Sequence, residues 1–346
     1  LIQWSTDVVL FDNMAESSLA YGIAIYGPGV ANNTVDSNRI TGGSHSICVT
    51  SDSNVFRNNR IESNTEAALY LDGADSNYVT GNWITPDPSV FSQNGFLLDT
   101  CSGNTFFDNT VEILSTNGIL VEINGSLRNN CDSNLLRGGA YAIIARSGAD
   151  SCSFTNNVIE STGFQVIFIQ SADSILIYNN TLRNITTTGG LGAINAQSSQ
   201  GLLIDSNHIY GGSPLDIYTN QCVACQVVGN LIEGSDYTGI SVQYCTSALV
   251  TGNTLRNNTD GGYIFINHSD SSQMSLNSLS NNTGDGLRAT SCLGSLIESN
   301  TVSGLTGVGV TLTGCTSCTV AGNAFADNDS YGLLSSGGSG NRIHDN

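Results

Sequence analysis

Apolar and polar positions recur along this chain with two nested periods. The hexapeptide Val250-Thr251-Gly252-Asn253-Thr254-Leu255 shows the longer one: an apolar residue, two spacers, an Asn, a spacer and a second apolar residue. With the Asn as position zero, the arrangement recurs at Asn13, Asn38, Asn59, Asn82, Asn109, Asn134, Asn157, Asn180, Asn207, Asn230, Asn253, Asn277, Asn300, Asn323 and Asn346, about 23–24 residues apart. Position −3 is apolar in turn (Val35, Phe56, Val79, Phe106, Ile204, Val227), and so is position +2 (Ile40, Ile61, Ile84, Val111, Ile209, Ile232). Both rows therefore point inward. The shorter period is two. It appears upstream of each Asn, as in Gly239-Ile240-Ser241-Val242 and Gly309-Val310-Thr311-Leu312, and it is the alternation of a strand.

Three short strands per repeat, stacked in parallel register, predict an all-β solenoid of about 14–15 coils forming one domain over 1–346. The inward Asn then forms a ladder in which each side-chain amide donates to the next and so satisfies polar atoms at a buried corner. Gly81, Asn156, Gly229, Gly252 and Gly322 precede it, and these types tolerate a left-handed turn. A second, partial ladder is expected at −5, from Asn33, Asn54, Asn77, Asn104 and Asn129. A leucine-rich repeat shares the short motif but needs Leu at −5 and −8, where this chain has residues such as Ser51, Ala74, Ala149 and Ala172.

On these residues the chain resembles the right-handed parallel β-helix superfamily, the pectin-lyase-like fold with short Asn-rich repeats, over essentially its whole length. The resemblance implies the fold and leaves the activity open, because similar proteins include polysaccharide lyases, glycoside hydrolases, uronan epimerases, phage tailspikes and adhesins. The Asp-Pro-His motif of uronan epimerases and the Arg-x-Pro-x-x-Arg pattern of pectate lyases are both absent. Two coils carry extra residues, at Thr85-Pro86-Asp87-Pro88 and from Ile185 to Gly190. The resemblance places such loops beside the outer face of the first strand, where related enzymes keep their clefts.

Composition narrows the partners. Charged residues make up 11 % of the chain, there is no Lys, and the formal net charge is −19. Amides and hydroxyls carry the polarity instead, with 39 Gly and an equally large share of Asn. Such a surface repels nucleic acid and anionic membranes, and no apolar run is long enough to span a bilayer. Glycans or further copies of the chain remain as partners.

The outward row near −10 reads Asp72, Asp99, Glu122 and Arg146 on successive coils. Stacked carboxylates raise a pKa or attract a cation, so this row is the candidate for catalysis by an inverting hydrolase or for a Ca²⁺ site; no other cofactor is expected. A solvated acidic edge compensated by Arg146 is the structural alternative. The neighbouring row, read as Tyr70, Leu97, Leu120, Ile144, Phe168, Tyr218 and Phe265, is an apolar outward face that calls for a cover, a partner copy or a stacked glycan. At +3 the charges alternate through Glu112, Arg137, Glu160 and Arg183, which reads as cross-strand pairing.

The ten Cys keep the same register. Small core filler is one reading; disulfides between Cys222 and Cys245, Cys292 and Cys315, Cys222 and Cys225, or Cys315 and Cys318 are the other. His45, His208, His268 and His344 fall at unrelated coil positions, which predicts no His-based centre. Sequons begin at Asn32, Asn124, Asn179, Asn184, Asn257, Asn267, Asn281 and Asn328, as candidate N-glycosylation sites or as turn residues. With no recognisable leader and no capping repeat, we expect a segment of a longer, processed chain whose ends are covered in an assembly. The expectation is an extracellular structural or adhesive module building a fibre or appendage, with a glycoside hydrolase using Asp72, Asp99 and Glu122 as the alternative.

Overall fold

The computed structural model describes residues 1–18, 20–27, 29–86, 89–90, 93–185, 192–211, 215–259 and 261–346. Of the two expected long loops, Asp87, Pro88 and residues 186–190 lie outside the described residues. Contacts divide the chain into two compact units, Leu1–Ile175 and Leu176–Asn346. Each is a parallel solenoid of three sheets.

One coil of the first unit consists of Ala67–Asp72, Tyr78–Thr80 and Trp83–Thr85. Its longest strand, in the first sheet, pairs in parallel with His45–Val49 on one side and Asn94–Asp99 on the other. In the second unit, Thr238–Gln243 lies in the same way between Leu215–Asn220 and Ile264–Asn267. Among the described residues no helix is long and apolar enough to cross a membrane.

The inward rows are those expected. Val79 and Ile84 flank the corner of their coil and are buried, as are Leu69 and Leu71 from the first sheet. Bulky rings fill the wider coils, and Phe96 and Phe106 pack tilted with centroids 4.7 Å apart.

The corner between the second and third strands holds the Asn ladder. Asn82 shows its chemistry: its Oδ1 accepts from the Asn59 side chain at 2.9 Å and from the Asn59 backbone N–H at 3.0 Å. Its Nδ2 donates to Asn109 Oδ1 at 2.9 Å and to the Phe56 carbonyl at 2.9 Å. All the hydrogen-bonding capacity of a buried amide is thus used within the coil stack. In the second unit Asn207, Asn230, Asn253, Asn277, Asn300 and Asn323 repeat the pattern. The residue before each ladder Asn is left-handed, from Ser37 at φ 57° to Gly322 at φ 63°. Even Leu276 adopts this conformation, at φ 55°, where an L-residue other than Gly or Asn is strained.

The partial ladder at −5 is present from Asn33 through Asn129. A third one, not anticipated from the sequence, runs after the third sheet in the second unit. There the Ser235 N–H donates to Asn258 Oδ1 at 2.8 Å, and Asn258 Nδ2 donates to Asn282 Oδ1 at 2.9 Å. All ten cysteines are free thiols, so none of the four anticipated Cys pairs is joined. Those at the corners act as small fillers with a weak donor: Cys101 Sγ donates to the Leu71 carbonyl at 3.2 Å and Cys315 Sγ to the Ala289 carbonyl at 3.3 Å. Five sequon residues, Asn32, Asn179, Asn184, Asn257 and Asn281, are exposed and left-handed, which accounts for Asn there by turn geometry.

One inward position carries a carboxyl. Asp216 is fully buried next to Gly239 in the same row; Ser235 Oγ donates to its Oδ2, and its Oδ1 has no partner. Burial pushes this group up to about 8, against the opposing effect of the Ser235 hydrogen bond.

Two outcomes follow from this core. Asn253→Ala leaves the Asn230 N–H without an acceptor and removes the ladder acceptor of Asn230 Nδ2, which keeps the Ile204 carbonyl, and should destabilise the second unit by about 2 kcal/mol in urea unfolding. For Asp216, both folded and unfolded chains hold the proton below pH 3.8; between there and about 8 only the folded chain keeps it. Stability therefore falls as pH rises through that window, by up to about 1.4 kcal/mol per unit. Asp216→Asn should flatten the dependence, so urea midpoints compared at pH 5 and pH 8 will differ less in the variant than in the parent.

Candidate functional site on the first-sheet face

The outward face of the first sheet in the first unit carries the densest polar chemistry, and the strand register decides which residues meet there. Asp72 stands opposite Asp99, Asp99 opposite Asn124, and Asn124 opposite Arg146. Glu122 belongs instead to the adjacent row, between Leu97 and Ile144. The anticipated stack of three carboxylates is therefore two carboxylates followed by an amide. Glu122 lies twelve positions before its ladder Asn, the distance that places Tyr70 in the apolar row.

The apolar row changes accordingly. It runs Cys48, Tyr70, Leu97, Glu122, Ile144 and Phe168. Leu120, expected outward, is wholly buried, because the start of each first-sheet strand bends inward: a Cβ on Gly95, in the same row, would lie 2.5 Å from Val111 Cγ1 in the core. Ile144 is also buried, while Tyr70, Leu97 and Phe168 are half-buried. In the second unit Tyr218 is buried between Asn195 and Ser241, and Phe265 lies beside Arg288.

Glu122 gathers the network. It accepts from Arg146 Nη2, from Asn94 Nδ2 at 2.7 Å and from Asn124 Nδ2 at 3.3 Å. Asn124 also donates to Asp99 Oδ1 at 3.0 Å and accepts from Arg146 Nε at 2.8 Å. Its amide is thus committed to the face, in contrast to the exposed sequon residues. Tyr70 lies on the coil before Asp99; burial first, then the charges of Asp72 and Asp99, hold its hydroxyl well above the usual tyrosine range. Tyr70 therefore stays a donor. Asp72 is exposed at the end of the network.

Three contributors escaped the sequence reading. His45 stacks on Tyr21, at 6.1 Å, and packs tilted against Tyr70, at 4.8 Å, to make a ring series along the sheet. Burial lowers its pKa, against the charge of Glu66, so the ring is favoured neutral. Asn94, one coil before Glu122, supplies the third hydrogen bond of the network. The signal for these residues lay at the start of the first-sheet strands, ahead of the counted rows. Among the described residues no group of three or more His, Cys, Asp or Glu is arranged to hold a metal ion. The charges at +3 pair as expected, with Arg137 2.9 Å from Glu160 and Arg256 2.5 Å from Glu233.

Residues 189–346 match the family model described as periplasmic copper-binding protein (NosD), and residues 2–145 match that of the right-handed β-helix region. The A-module of mannuronan C-5 epimerase AlgE4 from Azotobacter vinelandii is similar in structure, with a TM-score of 0.66 at 12 % identity, covering 90 % of this chain and 91 % of that one. Tailspike protein 3 of bacteriophage CBA120 is also similar, with a TM-score of 0.54 at 15 % identity over 90 % of this chain; the match spans 56 % of the tailspike. A search of curated protein sequences gives no match. The parallel three-strand coils, their Asn ladders and these likenesses identify the chain as a right-handed parallel β-helix protein of the pectin-lyase-like fold.

Proposed function

We propose that this chain is an exported binding module that holds polysaccharide along the first-sheet face of its first unit. The observation that carries the reading is the ring series Tyr21, His45 and Tyr70 running into the Asp99, Asn124, Arg146 and Glu122 network. Rings on three successive coils offer apolar surface to sugars, and fixed donors and acceptors beside them take the hydroxyls. A scaffold whose strands here are paired on both sides presents both without rearrangement. The periplasmic description of the family model over residues 189–346 supports export. The mannuronan epimerase and the phage tailspike, built on the same fold, support a polysaccharide partner.

Glu122 serves as the anchor of this network. Three donors hold it, and it is buried. Asp72 and Asp99 on adjacent coils favour a second reading, hydrolysis of a bound glycan with one of them as the acid or base.

Affinity electrophoresis through gels containing glucan, galactomannan, pectin or alginate tests both. The expected result is retardation by at least one polymer, weakened about tenfold by Tyr70→Ala and by Asp99→Asn. Free migration through all four sinks the binding reading. Release of reducing ends by the parent and its loss in Asp99→Asn would establish the hydrolase in its place.

A further inference from the structure

In the second unit, the turn leading into Leu287–Thr290 borders a cavity of about 420 Å³, lined among others by Tyr263, Thr283, Gly284, Asp285, Arg288 and Thr306. Arg288 stands between Phe265 and Thr311 in the first-sheet register. Its guanidinium lies 5.2 Å from the Tyr263 ring centroid and 5.5 Å from that of Phe265. Its Nε–H is shielded from solvent and has no acceptor, because Asp285 Oδ2 stops 3.8 Å away. That gap is too long for a hydrogen bond.

The acid is held where it is. Asp285 Oδ1 accepts the Val308 N–H at 2.9 Å, and the backbone closes tightly around it: a Cβ on Gly307 would lie 2.5 Å from that oxygen. Thr306 Oγ1 accepts the Gly284 N–H at 2.7 Å, which leaves its own proton to donate. The Thr311 hydroxyl beside Arg288 is likewise shielded and unpaired.

A charge argument selects the ligand. An anion would meet Asp285 and a chain of net charge −19, while a cation would meet Arg288. The pair is balanced, so the cavity offers a charged donor and a charged acceptor side by side, with the ring of Tyr263 beside them. Two neighbouring hydroxyls on a saturated ring match that set: one donates to Asp285 Oδ2, the other accepts from Arg288, and the ring's C–H face packs on Tyr263. The sugar oxygen meets the exposed part of the Arg288 guanidinium, since Nε itself is shielded.

We propose that this cavity binds one neutral sugar residue through a pair of adjacent hydroxyls held between Asp285 and Arg288. This site lies within the second unit and is separate from the first-unit face assigned above to polysaccharide.

Calorimetric titration of the full chain with the methyl glycosides of glucose, galactose and mannose tests it, with methyl galacturonide as the acidic comparison. At least one neutral glycoside should saturate, and Asp285→Asn and Arg288→Met should each weaken it tenfold or more, while Tyr70→Ala leaves it unchanged. The proposal falls if no neutral glycoside saturates, if either variant binds as the parent does, or if the galacturonide binds best and gains affinity in Asp285→Asn. A crystal of the parent soaked in the bound glycoside gives a readout independent of variant folding: the ring must sit against Tyr263, and a ring seated elsewhere overturns the proposal. Because Tyr70→Ala separates the two sites, failure here leaves the polysaccharide face standing, and failure of that face leaves this cavity standing.

Discussion

Everything in each unit depends on one requirement, that a polar amide buried at a tight corner be satisfied in every coil. Asn meets it because its side chain carries an acceptor for two N–H groups and donors for two carbonyl oxygens. Asn82 uses all four with its neighbours in the stack. A coil slipped by one residue would bury unpaired groups, so the corner fixes the register of the strands on both sides of it. Outward rows, and hence the chemistry each unit can display, are consequences of that register.

The same requirement explains what could be read without a structure. The corner motif and the apolar rows at −3 and +2 lie within a few residues of the Asn, and they are buried as the sequence reading has them from Val35 through Val320, with only the terminal coils, at Leu10, Phe325 and Ile343, left open. Accuracy declined with distance from it. Between the first-sheet strand and the corner lies a turn of variable length: Arg146 precedes its Asn by eleven residues, whereas Asp72 precedes its own by ten. Glu122 has another cause: at twelve residues before Asn134 it keeps the spacing of the apolar row, where a carboxylate was not expected, while Asn124 at ten holds the place beside Asp99. Leu120 failed for another reason, since strict alternation does not hold where a strand bends into the core. The third ladder was invisible because Ser235, Asn258 and Leu305 occupy equivalent positions with different side chains. Cysteine spacing was equally ambiguous, as a stacked corner brings thiols together whether or not they join.

Electrostatics in this protein are local. With few charges available, the arginines are set beside acids across neighbouring coils, as in Arg57 with Asp36 and Arg137 with Glu160. Partly exposed pairs of this kind contribute little to stability. Their effect is orientation, because a guanidinium fixed by one carboxylate presents its remaining donors in a set direction. Arg146 does this for the Asn124 amide, which in turn aligns Asp99.

The ladders also have a direction. Each Nδ2 donates toward the following coil and each Oδ1 faces the preceding one, as from Asn230 to Asn253 to Asn277. Such a thread is indifferent to which coil comes next but not to its polarity. Whole periods can be duplicated, deleted or exchanged between related chains like cassettes, leaving the hydrogen bonding at the splice intact, whereas an insertion of half a period breaks it. The chain is thus free to change length and outward rows by recombination in steps of one turn, and diversification of the face need not disturb the scaffold that displays it.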